Sequence, residues 1–449
     1  MSSSSELRIG TLSYTMPQML LVMAFITLAG QAMALLAYYM LPNIMPVLLD
    51  KTGSSAKTIA IITGTIPQFI NFFVCPIVST WSDKCRTRMG RRQPFLLWST
   101  PLVAGLVVLI GWSSRLGGSL AGLLHIKAAT AILLLLAFWH IAYTVCFLVP
   151  GSVYYYLYAD VLPPQHVGTF LSVFTLIGTG VQFLFNKYML SYSVDQPGPA
   201  CTLVALLYAA TFLLLVKNVR EGEYPPPPKP TGESFSRWMA NQVSTYFREC
   251  YSTRLFTFLF ICTAMNQVSN FCRQSFNLLF ATKELGVTSQ QYGDIMAVGS
   301  LAAAVAVLIM GKVMDMLHPI WVYLVSEVII IAMNVWGYFV VKDEPSFRIV
   351  GIAICIIYAV QALAQTPMFI QLFPKDKYGQ FCSANSMINC FLMVILTALG
   401  GFAIDHFGYR FLFIWDFGFT LLATLALCVV IHDWLAHGGK PHYTPPTFN

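Results

Sequence analysis

The stretch Ser82-Asp83-Lys84-Cys85-Arg86-Thr87-Arg88-Met89-Gly90-Arg91-Arg92-Gln93-Pro94-Phe95 decides how the rest of the chain is read. It gathers five basic residues between two apolar runs, 59–80 and 95–112. A charged hinge between two membrane-length apolar segments is a cytoplasmic loop by the positive-inside rule. Composition agrees. Of 449 residues, 57% are hydrophobic and 10% are charged, against about 25% charged in soluble domains. A water-soluble fold this apolar would have too little polar surface, so the class is integral membrane protein. The net charge of +7 is read as loop topology, and no nucleic-acid partner is expected. The eleven cysteines show no metal spacing and read as small buried hydrophobes. No metal and no other cofactor is expected. Residues 1–13 lack an apolar run behind a basic segment, so no cleaved signal peptide is expected.

A bilayer core of about 30 Å takes about 20 helical residues. By that rule twelve spans are predicted, near 17–41, 57–80, 93–113, 128–158, 167–190, 199–217, 254–281, 290–311, 319–341, 347–372, 379–404 and 410–434. The run Pro225-Pro226-Pro227-Pro228-Lys229-Pro230 cannot continue a helix and favours polyproline II. It divides the chain into a first six-helix bundle (1–217), a cytoplasmic linker (218–253), a second bundle (254–434) and a tail (435–449). Trp238 and Phe247 sit among charges in the linker, which reads as an interfacial helix over 237–251. With the N-terminus inside, cytoplasmic segments carry sixteen Lys and Arg against nine outside, which puts both termini in the cytoplasm. A half-chain repeat supports the division. Pro163, Gly168, Phe170 and Ser172 after span 4 have counterparts in Pro374, Gly379, Phe381 and Ser383 after span 10.

Ser82, Asp83, Cys85, Arg88, Gly90, Arg91, Arg92, Pro94 and Phe95 match the loop between the second and third helices of major facilitator transporters. In detail the loop resembles that of sucrose transporters and the glycoside–pentoside–hexuronide:cation symporters. The resemblance implies an all-α fold of two pseudo-symmetric six-helix bundles and transport by alternating access. It also implies that Asp83, Arg88, Gly90, Arg91 and Arg92 form a conformational gate, with Asp160 after span 4 as their partner. In the melibiose-type members two aspartates of span 2 bind the coupling cation. Here those places fall on Asn71 and Cys75, so sodium coupling is not expected and proton coupling or facilitation is.

No phosphate-binding loop, His-Glu-x-x-His or Gly-x-Ser-x-Gly motif is present, and an enzyme is not expected. The informative residues are polar ones at helical spacing within the spans, which must face a cavity or another helix. Asn266, Asn270, Arg273 and Asn277 form one narrow stripe on span 7. It is read as facing a solute cavity, with Arg273 exposed there rather than paired to Asp416. Gln68 and Asn71, His140 and Tyr143, Gln361 and Gln365, together with Tyr38 and Asn389, complete the predicted solute-binding set. Amide, phenol and imidazole groups suit a neutral polyol because they both donate and accept. Glu327 and Asp416 lie deep in spans 9 and 12 and are candidate proton carriers. The reading is a secondary transporter, expected as a monomer in a plasma or bacterial inner membrane, moving a small polar solute such as a sugar or glycoside. The rivals are a nucleoside or lysolipid transporter, and a non-transporting sensor on the same fold.

Overall fold

The computed structural model describes residues 7–9, 11–223, 237, 240, 241, 244 and 248–446. The proline run 225–230, Trp238 and Phe247 lie outside them. Among the described residues, twelve helices are long and apolar enough to cross a membrane, and they are numbered here as spans in chain order. They are Met16–Asp50, Ala56–Cys75, Gln93–Leu124, Ala128–Leu157, Phe170–Asp195, Pro197–Asn218, Arg254–Lys283, Ser289–Met314, Pro319–Val340, Glu344–Leu372, Tyr378–Phe407 and Phe411–Ala436. Spans 1 and 3 run furthest past the predicted bounds. Span 1 continues to Asp50 through Pro42 and Pro46, and a π-helical turn over Leu35–Met40 lies just before them. Pro42 has no N–H to give to the carbonyl four residues back, and a widened turn absorbs that break. Span 3 passes Arg115, whose guanidinium lies 4.6 Å over the Trp112 ring, and stops where His125 turns left-handed at φ 55°.

The chain forms two compact units. One holds Met1–Ser54 and Phe69–Lys229, the other Ser55–Gln68 and Pro230–Asn449. Within the first, span 3 packs on spans 4 and 6, and span 1 on spans 5 and 6. Within the second, span 9 packs on spans 10 and 12, and span 7 on spans 11 and 12. The same pairings recur six spans later, as the half-chain repeat requires.

The unit boundary departs from the bundle boundary expected from the linker, because the first part of span 2 packs with span 11. Asp405 accounts for much of this. Its carboxylate accepts the backbone N–H groups of Ala56 (2.5 Å) and Lys57 (2.9 Å). Those are orphan donors of a helix start, and a carboxylate is well placed on the positive end of the helix dipole. Thr65 and Thr397 hydroxyls meet at 2.9 Å further along. A Cβ on Gly401 would come within 2.6 Å of the Ala56 carbonyl, so only glycine allows this approach.

Candidate functional site

Two clusters of polar residues form within the units. The first surrounds the charged loop. Arg91 meets Asp160 through Nε (3.1 Å) and Nη2 (2.5 Å), and Arg92 Nε reaches the same carboxylate at 3.3 Å. Arg92 Nη1 donates to Ser82 Oγ at 2.5 Å, and its guanidinium lies 4.9 Å from the Tyr156 ring centre. Glu221, just past span 6, accepts backbone N–H groups from Arg91 (2.9 Å), Arg92 (2.9 Å) and Gln93 (2.7 Å). Span 3 is thus capped by a carboxylate from far along the chain. Gly90 makes the approach feasible: its φ is +112°, and a Cβ there would lie 2.5 Å from the Glu221 carboxyl carbon. The sequence reading picked out Asp160 and missed Glu221. The usable signal was an acid next to the membrane edge, opposite a helix start that lacks a capping side chain of its own. Arg88 is exposed, and the Asp83 side chain lies outside the described residues.

The second cluster lies in the second unit. Thr263, Asn266, Gln267 and Asn270 of span 7 face Tyr358, Gln361, Ala362 and Gln365 of span 10, with Tyr323 of span 9 alongside, around a cavity of about 250 Å³. Both helices present the same i, i+3, i+4, i+7 spacing, which is one face of an α-helix. Four predicted residues therefore meet here: Asn266, Asn270, Gln361 and Gln365. None of the lining residues is ionisable near neutral pH. Gln361 is 3% exposed, and its Nε2 has no hydrogen-bond partner, so one buried donor is left open beside the cavity.

Arg273 corrects the sequence reading. It does not line this cavity. Its guanidinium pairs with Asp416 of span 12 (Nε and Nη2 both 2.7 Å) and with Asn334 of span 9 (2.5 Å). The physical reason is the cost of an uncompensated charge in an apolar interior, which a buried carboxylate offsets better than an amide-lined cavity. The expectation erred in treating span 12 as too peripheral to supply the partner. Asp416 is saturated: Tyr358 Oη donates to both its oxygens (2.6 and 2.8 Å), and Ser269 and Thr420 hydroxyls also donate to it. Asn277 likewise turns away, donating to Tyr292 of span 8 at 3.3 Å. Asn266 serves two masters. It lines the cavity and also donates to Glu327 (2.7 Å) and Tyr323 (3.0 Å). Glu327 is fully buried and receives a thiol contact from Cys262 at 3.4 Å. Among the described residues no ion pair is recorded for it.

The remaining predicted residues are dispersed. His140 and Tyr143 are buried in the first unit with rings stacked 6.0 Å apart, and His140 Nδ1 has no hydrogen-bond partner. Tyr38, half exposed, has its hydroxyl 3.4 Å from that of Tyr155. Asn71 is engaged in a polar contact, while Cys75 lies 3.7 Å from Ser152 Oγ. Gln68 accepts from the Cys390 thiol at 3.4 Å, and Asn389 Oδ1 is buried without a partner.

Comparison with known proteins fits this architecture. Residues 259–442 match the Major Facilitator Superfamily. A sucrose transport protein of Oryza sativa subsp. indica is 50% identical over 46 residues, which is 10% of this chain and 8% of that protein. Proton-associated sugar transporter A of Mus musculus is 35% identical over 81 residues, 18% of this chain and 10% of that protein. The matches to curated relatives thus span about a tenth of their length. Among solved structures, the nucleoside transporter NupG superposes with a TM-score of 0.63 at 12% identity, covering 93% of this chain and 99% of that one. A bacterial homologue of the iron transporter ferroportin, in an inward-facing state, gives 0.64 at 15% identity over 92% and 98%. At such identities these structures speak for the fold alone. The chain thus carries the twelve-helix membrane fold of these transporters, resembles the major facilitator superfamily over residues 259–442, and has short-range sequence similarity to sugar transporters.

Proposed function

We propose that the protein is a secondary transporter that moves a small neutral polyol, a sugar or glycoside, by alternating access. The observation that carries this reading is the amide-lined cavity between spans 7 and 10. Its volume of about 250 Å³ lies just below the ~300–1,000 Å³ usual for small-molecule sites. Asn270, Gln361 and Gln365 offer donors and acceptors without charge, as sugar hydroxyls require, and Tyr323 and Tyr358 offer ring faces. An anionic or cationic solute would leave its charge unmatched there. The short similarities to sucrose and proton-associated sugar transporters support the same class. Arg91, Arg92, Asp160 and Glu221 act as the gate. Their bonds tie the ends of spans 2, 3, 4 and 6 together, and breaking them changes the balance between conformations rather than solute affinity.

Coupling, where uptake is concentrative, is to protons. Of the two buried acids, Asp416 would have to break an ion pair to take up a proton, whereas Glu327 is held by neutral donors and has no recorded cation partner. Glu327 is therefore the carrier in this reading, linked to the cavity through Asn266. The span-2 positions Asn71 and Cys75 provide no carboxylate for sodium. The test is uptake and counterflow of labelled sucrose and of aryl glycosides in proteoliposomes, with uridine as competitor. The expected result is counterflow insensitive to sodium, and concentrative uptake that a proton ionophore or Glu327→Gln removes while counterflow persists. Stimulation by sodium, or counterflow of uridine and not of sugars, refutes the assignment.

A further inference from the structure

A second and larger cavity lies in the same unit, away from the amide-lined one. It holds about 910 Å³ at the end of the unit where span 9 begins and spans 10 and 12 finish. Three lysines line it: Lys375 after span 10, Lys377 before span 11, and Lys440 in the segment after span 12. Among the described residues, no carboxylate lines it. Lys377 pairs with Glu249 at 3.0 Å. Lys440 Nζ spends one hydrogen on the Met316 carbonyl, 3.0 Å away, and keeps two. Lys375 is exposed, and among the described residues no hydrogen bond or ion pair is recorded for it.

The floor of the cavity is buried. Phe373 and Trp434 line it and are 1% and 2% exposed, and both belong to the buried aromatic core of the unit. His318 packs tilted against Trp434 with ring centres 4.4 Å apart and caps the start of span 9 by accepting the Ile320 N–H. Tyr443 is tied down by its hydroxyl, which donates to the Leu372 carbonyl at 3.0 Å. One wall is apolar and open: Ile370 is 55% exposed on the flank of span 10. Tryptophan at span ends marks the membrane–water boundary, and Trp321 and Trp434 lie together here, 6.4 Å apart. A cavity at the ends of spans 10 and 12, close to the 38% exposed Trp321 near the start of span 9, would lie near the depth of lipid headgroups, with Ile370 as its apolar flank.

We propose that this cavity binds the phosphate of an anionic phospholipid, its headgroup held by Lys375, Lys377 and Lys440 and its acyl chain leaving past Ile370. Basic pockets between span ends are suited to such headgroups because each lysine adds favourable electrostatics to a phosphate that stays half hydrated. Two of the lysines come from the loop between spans 10 and 11 and the third from the segment after span 12, so occupancy would also hold that segment against the unit.

The experiment uses the full-length protein in a neutral detergent, with native mass spectrometry counting bound lipid. The probes are short-chain phosphatidic acid, phosphatidylglycerol and phosphatidylcholine, plus glycerol 3-phosphate as a soluble phosphate. Phosphatidic acid and phosphatidylglycerol should bind and phosphatidylcholine should not. Lys375→Gln combined with Lys440→Gln should weaken binding roughly thirtyfold, the change that about 1 kcal/mol per lysine gives. Lys375→Glu alone, on an exposed side chain, keeps the test valid if the double variant fails to fold. Arg348→Gln, on an exposed residue at the opposite end of span 10, should bind as the unchanged protein does. Glycerol 3-phosphate binding with the same lysine dependence would support the phosphate site and name a soluble source for it. Equal binding of phosphatidylcholine, or lipid binding indifferent to both lysine variants, overturns the proposal.

Discussion

Replacing Arg273 tests the central correction. Its guanidinium makes two contacts to Asp416 and one to Asn334, all within 2.7 Å, and its side chain is 10% exposed against 1% for Asp416. Arg273→Met removes the only cation recorded against Asp416. The carboxylate keeps Tyr358, Ser269 and Thr420 as donors, but its charge stays buried without a counterion. Breaking a buried pair from one side costs about 3–5 kcal/mol. Asp416→Leu should cost a similar amount from the other side, leaving the guanidinium with Asn334 and the Phe413 ring but no anion recorded against it. With both replaced, no charge is left to desolvate, and such swaps range from neutral to stabilising by about 1–4 kcal/mol. The double variant should therefore recover most of the loss, with a coupling energy of about 2 kcal/mol or more. The assay is reversible unfolding of purified protein in mixed micelles, run as a double-mutant cycle. Losses under about 1 kcal/mol for both single variants, the range of an exposed pair, or simple additivity in the double, would refute the reasoning.

Three further outcomes follow from the same geometry. Gln361→Ala should weaken sugar binding, measured calorimetrically, by roughly two- to tenfold, the worth of one neutral hydrogen bond at ~0.5–1.5 kcal/mol, with unfolding little changed. Glu221→Gln should keep solute affinity but slow transport, because the span-3 start loses a charged cap worth about 1 kcal/mol; a changed affinity with normal transport kinetics counts against the gate. Hydrogen bonds from Gln380 and then Lys377 hold the Glu249 carboxyl below its ordinary 4.5. A depressed carboxylate stabilises the fold above the unfolded value and loses that contribution as pH falls through the lower folded one. The stability gap between the unchanged protein and Glu249→Gln should therefore be constant above about pH 5 and close below 4.5; a gap that widens on acidification would contradict it.

The fold was legible because its signal is long. Twenty apolar residues cost too much to leave anywhere but in lipid or a large core, and twelve such runs punctuated by charged loops leave few alternatives. The boundary errors have local causes. Arg115 lies along Trp112 instead of ending span 3, and prolines that should stop span 1 are absorbed by a π-helical turn. The proposed gate was legible in part. Gly90, Arg91 and Arg92 stand in a recognisable loop, and Asp160 is the acid nearest it across span 4. Glu221 lies more than a hundred residues away in sequence, and nothing periodic links it to the helix it caps.

Periodicity says which face of a helix is polar and is silent on which neighbour that face meets. Span 7 illustrates the limit. Asn266, Asn270, Arg273 and Asn277 do lie on one stripe, yet the stripe meets span 9 at Asn266, the cavity at Asn270, span 12 at Arg273 and span 8 at Asn277. Helices that cross at an angle stay in contact for only two or three turns, so a stripe longer than that changes partners. The consequence for function is specific. Tyr358 both lines the cavity and donates to Asp416, so the Arg273–Asp416 pair positions a cavity wall without touching its contents. Loss of solute binding in Arg273→Met would then be indirect. Direct contact and positioning differ in one respect: Tyr358→Phe, which keeps the ring and removes only the hydroxyl, should reproduce part of the binding loss if the wall is what matters. Unchanged affinity in Tyr358→Phe, beside a large loss in Arg273→Met that the added Asp416→Leu does not relieve, would return Arg273 to direct contact with the solute.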